Sequence, residues 1–350
     1  MQPRVAVVIL NFNTRKWLEA FLPSVLQTQY GNLEIVVADN NSTDDSVRFV
    51  EEFYPSVSII KLPKNYGFAG GYNECLKQVT ADYFVLLNSD VQVTPNWVQP
   101  VIDLMETDTA IAACQPKILS WHDKAKFEYA GASGGYIDGM AYPFCRGRII
   151  DHLETDNGQY NSVEEVFWAS GAAMFIRADK YREASGLDAD FFAHMEEIDL
   201  CWRLKNRGYK IMVQPASVVY HVGGGTLSRQ NPRKTFLNFH NCIAMMVKNM
   251  PGNELWWKLP LRFIMDDMAA VMFLFYGNWR DMLAVFRAHT LFTLQADKWF
   301  KRRRELKKYR SNPNKTGIYK KSIVLGFFLG KKKEFSGVGL GTKQLHLRSK

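Results

Sequence analysis

Paired cysteines, long apolar runs and the familiar phosphate-loop signature are all missing from this chain of 350 residues. Its five cysteines (Cys75, Cys114, Cys145, Cys201 and Cys242) are scattered, odd in number and form no Cys-x-x-Cys. That argues against a disulfide framework or a structural zinc site and fits a reducing compartment. There is no Gly-x-x-x-x-Gly-Lys-Ser/Thr, and Gly67, Gly70 and Gly71 miss the Gly-x-Gly-x-x-Gly spacing. Gly131-Ala-Ser133-Gly-Gly135 spells Gly-x-Ser-x-Gly, but in a Gly-broken stretch without the strand-to-helix pattern that a nucleophile elbow needs. Phosphate-loop hydrolases, α/β-hydrolases and nicotinamide-dependent enzymes are therefore poor readings. In the aromatic-rich C-terminal stretch the longest uncharged run, Met268 to Trp279, has 12 residues, short of the roughly 20 that span a bilayer. No signal peptide is expected from the opening Met-Gln-Pro-Arg, so the protein is expected in the cytoplasm. Residues 1–230 nowhere interleave basic and aromatic side chains as an RNA platform would, and no nucleic acid partner is expected.

What is present is a strong charge asymmetry. From Arg233 onward there are 24 Lys/Arg against 7 Asp/Glu, which leaves 20 against 28 in the preceding residues although the net charge is +9. An acidic body with a basic tail points to a catalytic or binding domain joined to a segment that meets a polyanion. The body itself has a rhythm. Val5–Leu10, Glu34–Ala38, Val57–Leu62 and Tyr83–Asn88 are short apolar runs read as buried strands. Between them lie helical stripes such as Trp17, Leu18, Phe21, Leu22, Val25 and Leu26. Ser42 or Thr43 is placed to cap the helix holding Val47, Val50 and Phe53. Strands alternating with helices predict a mostly parallel α/β sheet with helices on both faces. Residues 121–165 lose the rhythm and read as loops with short strands. Val166–Ile176 and Tyr209–Tyr220 return as strands, and residues beyond 231 read as amphipathic helices.

Each early strand ends on small polar residues. Asp39 and Asp90 follow two strands predicted to be parallel, so both fall on one rim of the sheet, where ligands of open α/β sheets bind. One acid could reach a nucleobase or ribose and the other a divalent cation and diphosphate, because hard oxygen ligands suit Mg or Mn. The plain alternative for Leu87-Asn88-Ser89-Asp90 is a turn ending the strand. Glu196, Glu197 and Asp199 enter a helix together, and their mutual repulsion can raise one of them to serve as a general base. The same acids could simply offset the helix dipole with Arg203 and Lys205 as partners. His221, after a strand and before three glycines, is either a metal ligand or structural.

Eight ordered motifs resemble family 2 glycosyltransferases, most of all a rhamnosyltransferase-like branch. They are Val8-Ile-Leu-Asn11-Phe12-Asn13, Val37-Ala-Asp39-Asn40-Asn41-Ser-Thr-Asp44, Asn65-Tyr-Gly67-Phe-Ala-Gly-Gly-Tyr-Asn73, Leu87-Asn88-Ser89-Asp90, Trp168-Ala-Ser-Gly-Ala172, Phe191-Phe192 with Glu196-Glu197-Ile-Asp199, Gly208-Tyr209, and His221. The resemblance covers about residues 4–250. It implies the GT-A fold: a mostly parallel, mixed central sheet flanked by helices, with a helical, basic C-terminal extension. The implied division is a domain over 1–230, its nucleotide half about 1–120 and its acceptor half about 121–230, followed by an extension over 231–350. It also implies inverting, metal-assisted transfer from a nucleotide-sugar donor to a glycan or lipid-linked saccharide acceptor, as in cell-wall or polysaccharide synthesis. Asn11, Phe12, Asp39, Asn41, Asn65, Gly67, Asn73, Asn88, Ser89 and Asp90 then match donor-binding positions. Asp90 and His221 match metal ligands, and Glu197 matches the general base. Two departures stand out. Asn88 replaces the first acid of Asp-x-Asp, and Glu stands at 197 where the family usually has Asp, so Glu196 and Asp199 stay open as alternatives. The basic tail beside aromatic helices suits an anionic membrane surface, with a peripheral place on its cytoplasmic face. A solvated cationic surface is the plainer account of that tail. A non-catalytic nucleotide-sugar or glycan-binding protein on the same fold is the alternative function.

Overall fold

A computed structural model describes residues 2–223 and 231–340. The first half alternates as the apolar periodicity predicts: β1 (Val5–Asn11), α1 (Arg15–Leu26), β2 (Leu33–Asp39), α2 (Ser46–Phe53), β3 (Ser58–Lys61), α3 (Gly67–Leu76), β4 (Tyr83–Asn88), β5 (Val91–Val93) and α4 (Gln99–Glu106). β1 runs parallel to both β2 and β4, and β2 to β3. Even residues of β1 (Ala6, Val8) pack into one core and odd residues (Val5, Val7, Ile9) into another on the opposite face. A strand buried on both sides must be apolar throughout, as this one is.

β6 (Ile111–Ser120) extends the same sheet. Then come β7 (Gly135–Asp138), β8 (Pro143–Cys145), β9 (Arg148–Ile149) and β10 (His152–Leu153), which form a second, small sheet. β11 (Glu164–Val166), β12 (Ala173–Arg177), α5 (Ala178–Glu183), α6 (Glu196–Asn206) and β13 (Lys210–His221) return to the large one. Its order is β11-β13-β6-β12-β4-β1-β2-β3, with β5 on β13. β12 is antiparallel to both neighbours. The two halves expected to meet near residue 120 therefore share one sheet.

The C-terminal region supplies α7 (Pro232–Asn249), α8 (Gly252–Phe275), α9 (Trp279–Leu294), α10 (Ala296–Lys307), β14 (Ile318–Tyr319) and α11 (Ile323–Phe328). No helix among the described residues is long and apolar enough to cross a membrane. The boundary expected at residue 230, two of the three glycines after His221 (Gly224 and Gly225) and residues 341–350 lie outside the described residues. The extension is not purely helical, for β14 pairs in parallel with β7.

Two local expectations need correction, the Val166–Ile176 strand and the cap of α2. Val166–Ile176 is not one strand; residues 167–172 leave the sheet between β11 and β12. The Gly-rich stretch from Asn65 to Asn73 is mostly helix, entered through Gly67 at φ +73°. A Cβ on Gly71 would stand 2.8 Å from Leu10, so glycine lets α3 lie against β1. Neither Ser42 nor Thr43 caps α2; the Ser42 hydroxyl instead accepts from the Asn13 amide (3.0 Å) within the loop.

Candidate active site

The register of β1 and β2 sets Asn11 beside Asp39 at the carboxyl ends of their strands. Asn11 Nδ2 donates to Asp39 Oδ1 (2.8 Å) and to the hydroxyl of Ser46 (2.8 Å), and Asp39 Oδ2 accepts from the Ser42 amide (3.2 Å). Asp39 is thus buried, aimed and hydrogen-bonded to neutral groups, with no cation at ion-pair distance among the described residues. Phe12 and Asn41 are exposed beside it, Asn41 in the left-handed region at φ +66°. Asn65 Oδ1 accepts from Asn40 Nδ2 (3.0 Å) and the Gly67 amide (2.8 Å), which fixes the entry to α3. A Cβ on Gly67 would meet the Phe192 ring at 2.7 Å.

Asn73 is a correction. Its Oδ1 accepts from the Tyr181 hydroxyl (2.6 Å) and the Leu187 amide (3.0 Å), and its Nδ2 donates to the Leu187 carbonyl (2.7 Å). Its polar atoms pin the 185–187 turn instead of facing the donor rim.

Asp90 and His221, far apart in sequence, are joined by β5. That strand pairs antiparallel with the end of β13, Val91 opposite His221, and the Val222 amide donates to the Asp90 carbonyl (3.1 Å). His221 Nε2 lies 3.1 Å from Asp90 Oδ1 and 3.5 Å from Asn88 Nδ2. On the other side of the ring, Nδ1 is 3.4 Å from Glu128 Oε2. Burial disfavours the charged ring, but Glu128 and Asp90 outweigh it and lift the His221 pKa to about 10. Glu128 was not legible beforehand. It lies in the irregular 121–165 stretch, where the bridge between Leu119 and Phe127 and the Glu128 amide, donating to the Ile118 carbonyl (3.1 Å), fold it back against His221.

Among the described residues no group of three or more His, Cys, Asp or Glu side chains is arranged to hold a metal by itself. The donor set nevertheless fits a divalent cation at two positions, provided the ion displaces the proton that Glu128 and Asp90 hold on the His221 ring. An Asp carboxylate and an imidazole nitrogen converge, with a carboxylate behind the ring in the place of an orienting partner.

The third group sits at the start of α6. Phe192, His194 and Met195 all have positive φ (60°, 69° and 72°), which non-glycine residues rarely adopt. Asn241 on α7 holds this turn: its Nδ2 donates to the carbonyls of Phe191 (3.0 Å), Ala193 (2.9 Å) and His194 (2.9 Å). The turn delivers Glu196 and Glu197 with both Oε2 atoms buried and without a hydrogen-bond partner among the described residues. Burial raises Glu197 to about 7. Burial, and then repulsion from Glu197, drives Glu196 well above the usual carboxylate range. Glu197 lies near the end of β4. A Cβ on Gly171 would be 3.6 Å from Glu197 Cβ, and the next residue's carbonyl, Ala172, accepts from the Asn88 amide (3.0 Å). Ser89 follows in the same turn, half-buried.

Asp199 does not share this environment. It is fully buried and hydrogen-bonded by Arg203 Nε (2.7 Å), Lys248 Nζ (2.9 Å) and Asn249 Nδ2 (2.7 Å). Two cations and an amide occupy the carboxylate, so it serves as the anchor of α6 on α7 and not as an open base.

Residues 6–156 match the model of glycosyl transferase family 2. An N-acetylglucosaminyl-diphospho-decaprenol L-rhamnosyltransferase of Mycobacterium tuberculosis is 23% identical over 280 residues, covering 76% of this chain and 90% of that protein. An uncharacterized glycosyltransferase of Haemophilus influenzae is 27% identical over 229 residues, covering 65% of this chain and 68% of its own length. Among solved structures, GalNAc-T7 with UDP, GalNAc and Mn²⁺ superposes with a TM-score of 0.56 at 14% identity, covering 71% of this chain. The match spans only 48% of the GalNAc-T7 chain. The mannosyltransferase PcManGT of Pyrobaculum calidifontis, in complex with GDP-Man and Mn²⁺, gives 0.50 at 14% identity and covers 88% of this chain and 86% of its own. The mixed central sheet, flanking helices and helical C-terminal region match the GT-A-like fold of these glycosyltransferases, and residues 6–156, less than half of the chain, match the family 2 model.

Proposed function

We propose that the protein transfers a sugar, with inversion, from a nucleotide-sugar to a hydroxyl of a glycan or lipid-linked saccharide acceptor. The observation that carries this is the Glu196–Glu197 pair: buried carboxylate oxygens without partners, beside the end of β4, with one pKa brought to about 7. Asp39, held by Asn11, takes the ribose or base, and Phe12, Asn41, Asn65 and Gly67 shape that side of the cleft. Asp90 and His221 would hold Mg or Mn, with Glu128 fixing the ring and neutral Asn88 and Ser89 adjacent. When bound, the ion offsets charge on the departing nucleoside diphosphate. Glu196 keeps a proton, so Glu197 is the ionised member and accepts the proton of the acceptor hydroxyl. The acceptor oxygen forms its bond to the anomeric carbon as the bond to the diphosphate oxygen breaks on the opposite face. One displacement inverts that carbon.

The name of the Mycobacterium tuberculosis relative supports a rhamnosyl donor and a diphosphate-lipid-linked acceptor. Such an acceptor would put the enzyme at the anionic cytoplasmic face of a membrane. Thermal-shift measurements with UDP-, GDP- and dTDP-sugars plus Mn²⁺ identify the donor. Glu197→Gln is then expected to keep the donor-induced shift and to lose transfer by roughly 10²–10⁴-fold. Full activity in Glu197→Gln would remove the base from this position.

A further inference from the structure

Surface helices of globular proteins bury an apolar stripe and turn polar residues outward. α8 is built the other way round. Its packed side holds Leu255, Ala270 and a buried ion pair, Arg262 Nε to Asp266 Oδ1 at 2.8 Å. Arg262 also donates to the Met140 carbonyl (3.1 Å), and Asp266 Oδ1 accepts from the Tyr142 hydroxyl (2.7 Å). The opposite arc carries Trp257, Leu261, Ile264, Met268, Val271 and Phe275, spaced by four and three, and every one is exposed. α9 repeats the pattern: Ala284, Val285, Ala288 and Phe292 are buried, while Trp279, Leu283, Phe286 and Leu294 face out. At the turn joining the helices Phe275 is 85% and Tyr276 74% exposed. Single exposed apolar side chains need no explanation, but two aligned outward stripes form a patch that does.

Charge tells what covers it. The acids of this hairpin are engaged: Glu254 with Lys258, Asp266 with Arg262, Asp267 with His289 and Asp281 with the Thr235 hydroxyl. Arg280 and Arg287, exposed on α9, have no carboxylate partner among the described residues. With Arg233 from the first turn of α7 they line a shallow cavity of about 350 Å³, together with Pro232, Phe236 and Ala284. The Arg233 guanidinium stands 5.2 Å over the Phe192 ring, at the start of the turn that carries Glu197. A second copy docking through this face by a two-fold axis would bring the same unpaired arginines together with no acid to meet them. An anionic bilayer offers acyl chains to the stripes and phosphate to the guanidiniums. α8 has 24 residues, about 36 Å of helix, to lie along such an interface.

We propose that the outward face of the α8–α9 hairpin seats in the interface of an anionic bilayer, with Arg233, Arg280 and Arg287 holding a lipid phosphate beside Phe192. This rests on the membrane-borne acceptor proposed above and names the surface that meets it. Transfer to a soluble acceptor without vesicles is the control that separates the two readings.

The test is co-sedimentation of the full chain with vesicles of phosphatidylcholine alone or mixed equally with phosphatidylglycerol, at physiological salt. Strong binding only to the anionic vesicles is expected. Arg280→Gln/Arg287→Gln should weaken that binding by roughly thirtyfold. Ile264→Ser/Met268→Ser/Val271→Ser should weaken it at least tenfold, and both variants should keep soluble transfer within about twofold of the parent. Absence of vesicle binding with transfer intact would overturn the docking surface alone. So would binding that neither variant weakens, which would place it on another basic segment. A concentration-dependent dimer that the serine variant converts to monomer would show that a second copy covers the face. Vesicle binding as expected, without transfer of any sugar tested, would instead count against the reaction.

Discussion

Two adjacent carboxylates in one desolvated turn cannot both ionise near neutrality, and the site turns on which of them keeps its proton. Glu196 is driven the further up, by burial and by Glu197, while Glu197 comes to about 7. The pair titrates as a unit, but its ionised form places the charge on Glu197. The sign of the pH dependence follows. A base with its pKa raised is protonated, and inactive, at pH values where an ordinary glutamate is charged. The acid limb of kcat/KM should therefore lie near pH 7, with activity falling about tenfold per unit below it. Glu196→Gln substitutes a neutral amide for a side chain that is already neutral. It should retain activity within about tenfold, against the far larger loss on Glu197→Gln. Profiles of kcat/KM for both variants check this. A limb near the ordinary glutamate value, or a Glu196→Gln variant as dead as Glu197→Gln, would reverse the assignment.

A carboxylate so placed depends on the backbone that presents it. Three positive-φ residues within four positions are costly, each on the order of 1 kcal/mol or more, and Asn241 ties the carbonyls they expose. Asn241→Ala removes the donor from all three, so the turn should relax and the Glu197 carboxylate should drift. Because Asp39 and Asp90 stand on other elements, the expected outcome is a fall in kcat of roughly tenfold to a hundredfold with donor affinity within about twofold. Equal losses of kcat and donor affinity would mean a general loss of folding. Legibility divides along the same line. Asn11, Asp39, Asn88 and Asp90 could be read from the sequence because each ends an apolar run, and strand register aligns most of those ends on one rim. Glu128 and Asn241 could not, since neither lies in a periodic or motif position. Their roles arise only when a bridge or a helix from elsewhere in the chain is laid against the site. Asn73 failed for the converse reason: it sits inside a motif, but on the face of α3 turned towards the 185–187 turn.

At the scale of the whole molecule, the question is whether the region beyond residue 231 is an appendage or part of the catalytic body. Chemistry of contact favours the second. Lys248 Nζ on α7 reaches Asp188 (2.5 Å) and Asp199 (2.9 Å), so α7 is tied to the segment that carries the acids. Further on, β14 adds the edge strand to the small sheet, and the Ile323 amide donates to buried Asp138 (2.9 Å). Phe335 closes that sheet. It is 4% exposed, its ring lies 4.9 Å from Tyr136 and 5.7 Å from Tyr160, and its amide donates to Glu154 Oε1 (2.9 Å). Glu154 in turn accepts from the Tyr160 hydroxyl (2.7 Å), so one side chain from the chain's far end completes an aromatic and polar cluster begun at residue 136. Phe335→Ala removes a buried ring whose cavity the surrounding aromatics cannot fill, at a cost of roughly 3–5 kcal/mol. If the two regions fold together, denaturant unfolding should show one transition moved to lower midpoint with its slope unchanged. Two transitions, of which only one responds, would mean that the C-terminal region stands apart and that the sheet holding the active site is stable without it.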